Sequence, residues 1–238
     1  MDIAIIGMGR LGRTVSRLLT DKGIPHKTIG KNDSLPKADL HYLLVPDKCI
    51  ESVATNIDSG IILHASGTYD HLILRPHRPA GVLHPIMSFP GPEVSIPPQP
   101  IPASICGDIE AIEAARKLSE MLGFSSFEYS GDRKLYHAAA VLAGNFSTTL
   151  IHMAGTLLKN QDLSLSQAIE MLTPLAIQSI NQAQKGNLNE TLTGPISRQD
   201  EDVISGHIKA LMQHHPHISN AYESMVNGTV KHINFEKD

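Results

Sequence analysis

Directly after the short apolar run from Ile3 to Ile6 the chain carries glycines at positions 7, 9 and 12, in the stretch "DIAIIGMGRLGRTVSRLL". Four apolar residues stopped by glycine read as a buried strand, and the segment from Leu11 to Gly23 has the length and apolar spacing of a helix. Glycines at that junction constrain the fold more than any other feature. Gly7 permits a tight turn, Gly9 lets main-chain N–H groups approach a ligand, and Gly12 lets helix and strand pack closely. A G-x-G-x-x-G run between a first strand and a first helix, inside a unit of about 30 residues, holds a dinucleotide pyrophosphate at a helix N-terminus. Gly7, Met8, Gly9, Arg10, Leu11 and Gly12 form the expected cofactor loop.

Beyond that loop the pattern alternates. The stretches "IPHKTI", "ADLHYLLVPD", "GIILHASG", "GVLHPIM", "IPASICG" and "SSFEYS" read as strands, with helices at "CIESVATNI" and "IEAARKLSEMLG". Near-continuous apolar strands traded with helices predict a parallel sheet covered on both faces. After Gly131 every long segment carries helical spacing, and no further strand is expected. The predicted fold class is α/β: a Rossmann-type doubly wound parallel sheet over residues 1–130, then an all-helical domain over 131–238 for substrate binding and dimerisation. Seven prolines from Pro85 to Pro102 interrupt the first part. They read as a stiff connection that no central strand can contain, either a strap over the sheet edge or a rigid wall of the cleft.

Composition narrows the partners. With 41% hydrophobic residues in 238 the chain can bury a full core, and a net charge of -4 with scattered basic residues lacks the footprint of a nucleic-acid binder. Cys49 and Cys106 match neither metal-ligand spacing nor a disulfide framework, which fits a reducing cytoplasm. The N-terminal apolar run is too short for a signal or a span, so neither targeting nor membrane is expected. The histidines, including His214 to His217, have no ligand constellation, and no metal is expected.

Which dinucleotide is bound depends on the end of the second strand. An NAD site usually places an acid there for the ribose hydroxyls, whereas this chain reads "TIGKND". Lys31, with Arg10, suits a 2′-phosphate, so NADP is predicted, and Asp33 turned inward would reverse that preference. Val45 and Pro46, after the third strand, are expected along the cofactor crevice. Ser66 and His84, at later strand ends, are the polar candidates for its nicotinamide end.

The helical part adds a second set. At 100° per residue Lys134, Val141, Asn145 and His152 share a narrow stripe, with His137 and Thr148 on its flank. Polar groups on a buried helix need partners or a ligand. In "LTGPISRQDED" Thr193 reads as an N-cap, Pro195 as the first turn, and Arg198 as either a two-pronged carboxylate contact or a tie to Asp200 and neighbouring helices. The Ala/Gly-rich helix from Tyr136 to Leu158 is too apolar to stand exposed and predicts a homodimer.

The stretches "GMGRLG", "LHPIMSFPGPE", "YHAAAVLAGNFSTTL" and "LTGPISRQD" together resemble a family of two-domain proteins, Rossmann-like followed by a helical domain of the DUF2520 type. The build is similar to that of ketopantoate reductase, pyrroline-5-carboxylate reductase and the β-hydroxyacid dehydrogenases. The resemblance implies an NADP-dependent oxidoreductase with a helical domain that closes the cleft and dimerises. In ketopantoate reductases a helix at this point carries a lysine acid with asparagines one and two turns on. Here Ala138 follows Lys134 by four, while His137 and Asn145 match the lysine and the second asparagine, with Val141 between. His137 is therefore the expected general acid, Asn145 the substrate-orienting amide, Lys134 the second candidate acid and Arg198 the carboxylate clamp. The implied substrate is a small 2-oxo acid or cyclic imine, foremost 2-dehydropantoate, then pyrroline-5-carboxylate. A regulator that binds NADPH without turnover is the competing class.

Overall fold

The computed structural model describes residues 1–159 and 162–235. Seven strands, β1 (Ile3–Ile6), β2 (Lys27–Ile29), β3 (Leu40–Leu43), β4 (Ile61–His64), β5 (Ala80–Pro85), β6 (Ile101–Gly107) and β7 (Phe124–Glu128), form one sheet in the order β2-β1-β3-β4-β5-β6-β7. β1 lies between β2 and β3, so the winding reverses there, and the crevice outside the carboxyl ends of β1 and β3 is where such a sheet receives a ligand.

The expectation of a wholly parallel sheet is corrected at one pair. β6 runs antiparallel to β5, with His84 opposite Ser104 and Pro85 opposite Ala103. The reason lies in the connection, because residues 86–100 form no helix, and a chain that returns without a crossover helix pairs antiparallel. Helix α3 (Ile109–Leu122) then restores a parallel β6–β7 pair. The proline segment is not an edge strap, since both its strands are interior. It rises at the carboxyl end of β5, and its Glu93 pairs with Arg13 at 2.9 Å. Arg13 sits in α1 (Arg10–Asp21), the helix that follows the glycine loop. Two of the seven prolines also lie inside strands, Pro85 as the last residue of β5 and Pro102 as the second of β6, where missing N–H groups are tolerated near strand ends.

Burial follows the alternation of side chains along the strands. Ile5, Leu63, Leu83, Ala103 and Ile105 join Val15, Leu18, Ala115 and Leu118 under α1 and α3. Ile6, Leu43, Ile62 and Ala80 join Ile50, Ala54 and Leu74 on the opposite face, under α2 (Ile50–Ala54) and a 3-10 turn over His71–Leu74.

The chain forms two compact units, Met1–Asn145 and Phe146–Asp238. The division falls after Asn145 rather than after residue 130, because α4 (Arg133–Val141) is pinned to the sheet by its first residue, Arg133, which is 6% exposed. The second unit contains α5 (Ser147–Leu158), α6 (Leu165–Ala183), α7 (Leu188–Thr191), α8 (Glu201–His214) and α9 (Pro216–Phe235). Gly155 lets α5 and α6 pack closely, since a Cβ there would lie 2.7 Å from Ile169. Between α4 and α5 a π-helical turn covers Leu142–Phe146. The extra residue of such a turn rotates the next helical turns by roughly 100°, so the straight stripe from Lys134 through Val141 to Asn145 and His152 does not survive.

Candidate functional site

The three glycines of the loop serve three purposes. Gly7 has φ +102, and a Cβ there would collide with the Leu44 carbonyl oxygen; at Gly12 it would collide with the carbonyl oxygen of Gly7. The protein's own packing requires both. Gly9 is different: its φ of -70 suits any residue, and nothing lies within 4 Å of a Cβ built there. A side chain at Gly9 would meet only the space of a cavity of about 720 Å³, lined by Gly7, Met8, Gly9, Val45 and Pro46 and reaching Gly30, Lys31 and Asp33. Arg10 is exposed and Leu11 packs against the core, so neither side chain lines the cavity. Their contribution is main-chain, because Arg13 N–H, bonded to the Gly9 carbonyl at 3.0 Å, makes the first helical bond and leaves the N–H groups before it at the helix start. At the far end Asp33 Oδ2 accepts the Gly30 N–H at 2.7 Å, which commits that oxygen to the turn, while Lys31 is exposed. The donor set fits a dinucleotide: open main-chain amides at a helix start and a lysine at the far end of the same cavity.

A second cluster adjoins this cavity. Ser66, after β4, accepts the N–H groups of Thr68 and Tyr69 and donates to Asp47 Oδ2 at 3.0 Å, next to cavity residues Pro46 and Lys48. Its hydroxyl is fully used by the turn. His64, behind it, is buried; its Nδ1 accepts from Ser66 N–H and its Nε2 donates to the Asp70 carbonyl. Burial pushes its pKa down to about 4. Both are held by the loop, so the hydroxyl of Ser66, a polar candidate for the nicotinamide end, is already engaged by Asp47 and the Thr68 and Tyr69 N–H groups.

His84 and His137, in contrast, do converge. Their ring centroids are 6.4 Å apart, and both rings lie over Gly67, where a Cβ would come within 2.9 Å of His84 Nε2 and 2.6 Å of His137 Cδ2. His137 Nδ1 meets Thr68 Oγ1 at 3.2 Å, and His84 Nδ1 meets the Tyr136 hydroxyl at 2.7 Å. Burial first, then the charge of Arg133, push the His84 pKa down to about 4, so the ring is neutral at pH 7. Arg133, Tyr136 and Ser104 escape the sequence reading. A signal exists: Arg133, Tyr136 and His137 are spaced i, i+3, i+4, and one helix face carries all three.

Of the remaining candidates, Lys134 is exposed, one position round the helix from Arg133. Asn145 lies in the π-helical turn. Arg198 is exposed in the second unit and forms no ion pair among the described residues. Thr193 is not a cap: Gly194 and Gln199 have positive φ, and α8 starts later, with Asp200 accepting from Val203 N–H. Asp200 thus caps its own helix rather than tying Arg198. Among the described residues no three His, Cys, Asp or Glu side chains gather as a metal would need.

The fold recurs in solved structures. The proposed NADP oxidoreductase BF3122 from Bacteroides fragilis is 21% identical, with a TM-score of 0.80 over 96% of this chain and 97% of that one. Protein TM1727 from Thermotoga maritima is 20% identical, with a TM-score of 0.74 over 99% and 100%. The 1-pyrroline-5-carboxylate reductase of Streptococcus pyogenes is 16% identical, with a TM-score of 0.59 over 97% of each chain. A comparison with curated proteins finds no match. Residues 101–229, which run from β6 through most of α9, match the family described as a domain of unknown function, DUF2520, and the chain belongs to that family.

Proposed function

We propose that the protein is an NADP-dependent oxidoreductase that reduces a small 2-oxo acid or cyclic imine. The observation that carries the reading is Gly9, a glycine that neither backbone conformation nor packing requires and that faces a cavity running to Lys31. The space it leaves open suits a pyrophosphate. Bound there, a nicotinamide supplies hydride to an electrophilic carbon. The protein's share is orientation and proton supply. His84 and His137 stand side by side past the Asp47–Ser66 link that borders the cavity, and His137 is the proton donor of the pair. Within this class 2-dehydropantoate is the first substrate to test and pyrroline-5-carboxylate the second.

Gly9→Ala should leave the thermal midpoint unchanged and weaken NADPH binding at least tenfold, about 1.4 kcal/mol. Lys31→Ala should weaken NADPH, and not NADH, by about 1–2 kcal/mol. Isothermal titration reads both, and NADPH consumption with 2-oxo acids and cyclic imines reads turnover. Unchanged affinity in Gly9→Ala sinks the cofactor site, and tight NADPH binding without turnover of any substrate converts the enzyme into a sensor.

We also propose that the helical unit pairs with a second copy of the chain. An 18-residue window within helical residues 133–158 has mean hydropathy 1.2, and the helix is long and apolar enough by length and composition to cross a membrane, yet only 6% of that window is buried. Met171, Leu175, Ile177 and Ile180 on α6 are exposed as well. An apolar surface of that extent needs a cover.

A further inference from the structure

Arg133 is an unusual cation. Its guanidinium is buried, has no carboxylate within ion-pair reach among the described residues, and leaves Nε without a partner. Two of its five N–H donors go to neutral oxygens, one on Nη1 to Ser104 Oγ and one on Nη2 to the Ser66 carbonyl, each at 2.9 Å. It also lies over the Tyr136 ring, 4.4 Å from the centroid. Such a charge is costly to keep unless its field is used.

The hydrogen bonds have a direction. Arginine can only donate, so Ser104 Oγ accepts and anchors the guanidinium that lies over the Tyr136 ring. A cation on that face makes the phenol a better donor. Tyr136 then gives its proton to His84 Nδ1, 2.7 Å away, because a phenol O–H is the stronger donor and an imidazole nitrogen the stronger acceptor. A neutral imidazole whose Nδ1 accepts carries its proton on Nε2. The reverse assignment, His84 Nδ1–H donating to Tyr136, would set the weaker donor against the weaker acceptor. His84 Nε2 makes no hydrogen bond to any described residue and sits over the bare Cα of Gly67.

We infer that Arg133, Ser104 and Tyr136 are positioning residues that hold His84 as its neutral Nε2–H form, so that its ring donates a hydrogen bond to a substrate carbonyl oxygen. The inference rests on the reductase reading for its substrate, though the tautomer itself does not. A carbonyl oxygen gains negative charge as its carbon is reduced, and a fixed N–H aimed at it gains strength as that happens. A protonated imine nitrogen carries its own N–H, and at this site a donor would face a donor. The pair therefore divides its work: His84 polarises and keeps its proton, and His137 supplies one. The site selects 2-oxo acids over cyclic imines.

Long-range proton–nitrogen NMR on the 15N-labelled full chain at pH 7, with His84 assigned by its loss in His84→Gln, tests the relay without cofactor or turnover. The expected spectrum has Nδ1 bare and Nε2 protonated, and Tyr136→Phe should shift His84 toward a tautomer mixture. Ser104→Ala, which removes one hydroxyl, should do the same to a smaller degree and serves if Tyr136→Phe unfolds. In steady-state assays Tyr136→Phe should lower kcat on a 2-oxo acid about tenfold with NADPH KM unchanged. A protonated Nδ1, a cationic ring, or a tautomer indifferent to both variants overturns the relay. Turnover of cyclic imines but not 2-oxo acids overturns the substrate class while leaving the relay in place. The expected tautomer with no turnover on either class sinks the reductase reading alone.

Discussion

In the sheet unit Ile3, Ile5, Leu40, Tyr42, Leu63 and Leu83 are at most 2% exposed; in the helical unit Met171 and Leu175 are 65% and 66% exposed. Among the described residues of that second unit, the buried apolar side chains are Ala168, Leu211 and Ile218. Both units are rich in apolar residues, so the contrast lies in what covers them. A sheet with helices on two faces consumes its apolar surface within one chain. Helix α6 has apolar residues round most of its circumference and packs mainly against α5, and a helix apolar on so many sides is ordinarily buried. The sheet unit covers its own apolar surface, and the pairing we propose would cover that of the helical unit.

The largest expected effect breaks that contrast directly. Light scattering should give twice 25.8 kDa for the native chain at micromolar concentration. Met171→Glu with Leu175→Glu should return it to a monomer, a loss of roughly 4 kcal/mol of association if each side chain acts as an interface anchor. NADPH affinity should hold, because the cavity is built from residues of the sheet unit. A native monomer removes the proposed pairing, as does a mass that the double variant leaves unchanged. Detergent-dependent recovery of the native chain would point to a lipid cover instead.

The next effect belongs to the sheet unit. Burial holds His64 and His84 at about 4, below the ordinary histidine value of 6.5. A histidine with a depressed folded-state pKa stabilises the fold fully above its unfolded value, and that contribution is lost as pH falls from 6.5 toward 4. Asp108 acts in a different window. Arg75 grips its two oxygens at 2.8 and 2.9 Å and holds its carboxyl well below the usual carboxylate range, so its contribution persists until the pH falls below that range. Urea unfolding at pH 5 should therefore give a stability about 2–4 kcal/mol below that at pH 7.5. His64→Gln with His84→Gln should flatten that slope, and a slope identical to the native one would assign the acid sensitivity elsewhere.

How much of this is legible in the sequence divides along the same line. The glycine loop can be read because its requirements are local: a turn and a close approach. The direction of β6 cannot, since "IPASICG" looks the same in either direction and a connection without a helix makes the choice. Arg133 escapes notice because a charged residue opening a helix ordinarily points to water. Its burial depends on Ser104 and the Ser66 carbonyl, contributed by distant parts of the chain. The stripe through Asn145 fails for a third reason, because it needs a constant helical pitch across Leu142–Phe146, where the helix widens. Thr193 and Arg198 fall before a helix that begins only at Glu201, and nothing in "TGPISRQD" announces positive φ at Gln199.

The smallest effect sharpens the contrast at two helix starts. Ser164 and Gln167 close a capping box on α6, with the serine side chain accepting from Gln167 N–H and the glutamine side chain from Ser164 N–H. Asp132 caps α4 more simply, accepting from Lys134 N–H at 2.7 Å. Removing either cap costs about 1 kcal/mol by general precedent. The consequences differ because the first turns carry different groups. In α4 that turn holds Arg133 in the sheet, so Asp132→Ala should disturb the Arg133–Ser104 contact and with it the tautomer of His84. In α6 it carries no group of the cofactor cavity, so Ser164→Ala should lower the thermal midpoint by a few degrees and leave NADPH affinity and the His84 spectrum as they were. If Ser164→Ala instead moved the His84 resonance, the two units would be coupled through more than the chain that joins them, and the account of a self-contained sheet unit would have to be abandoned.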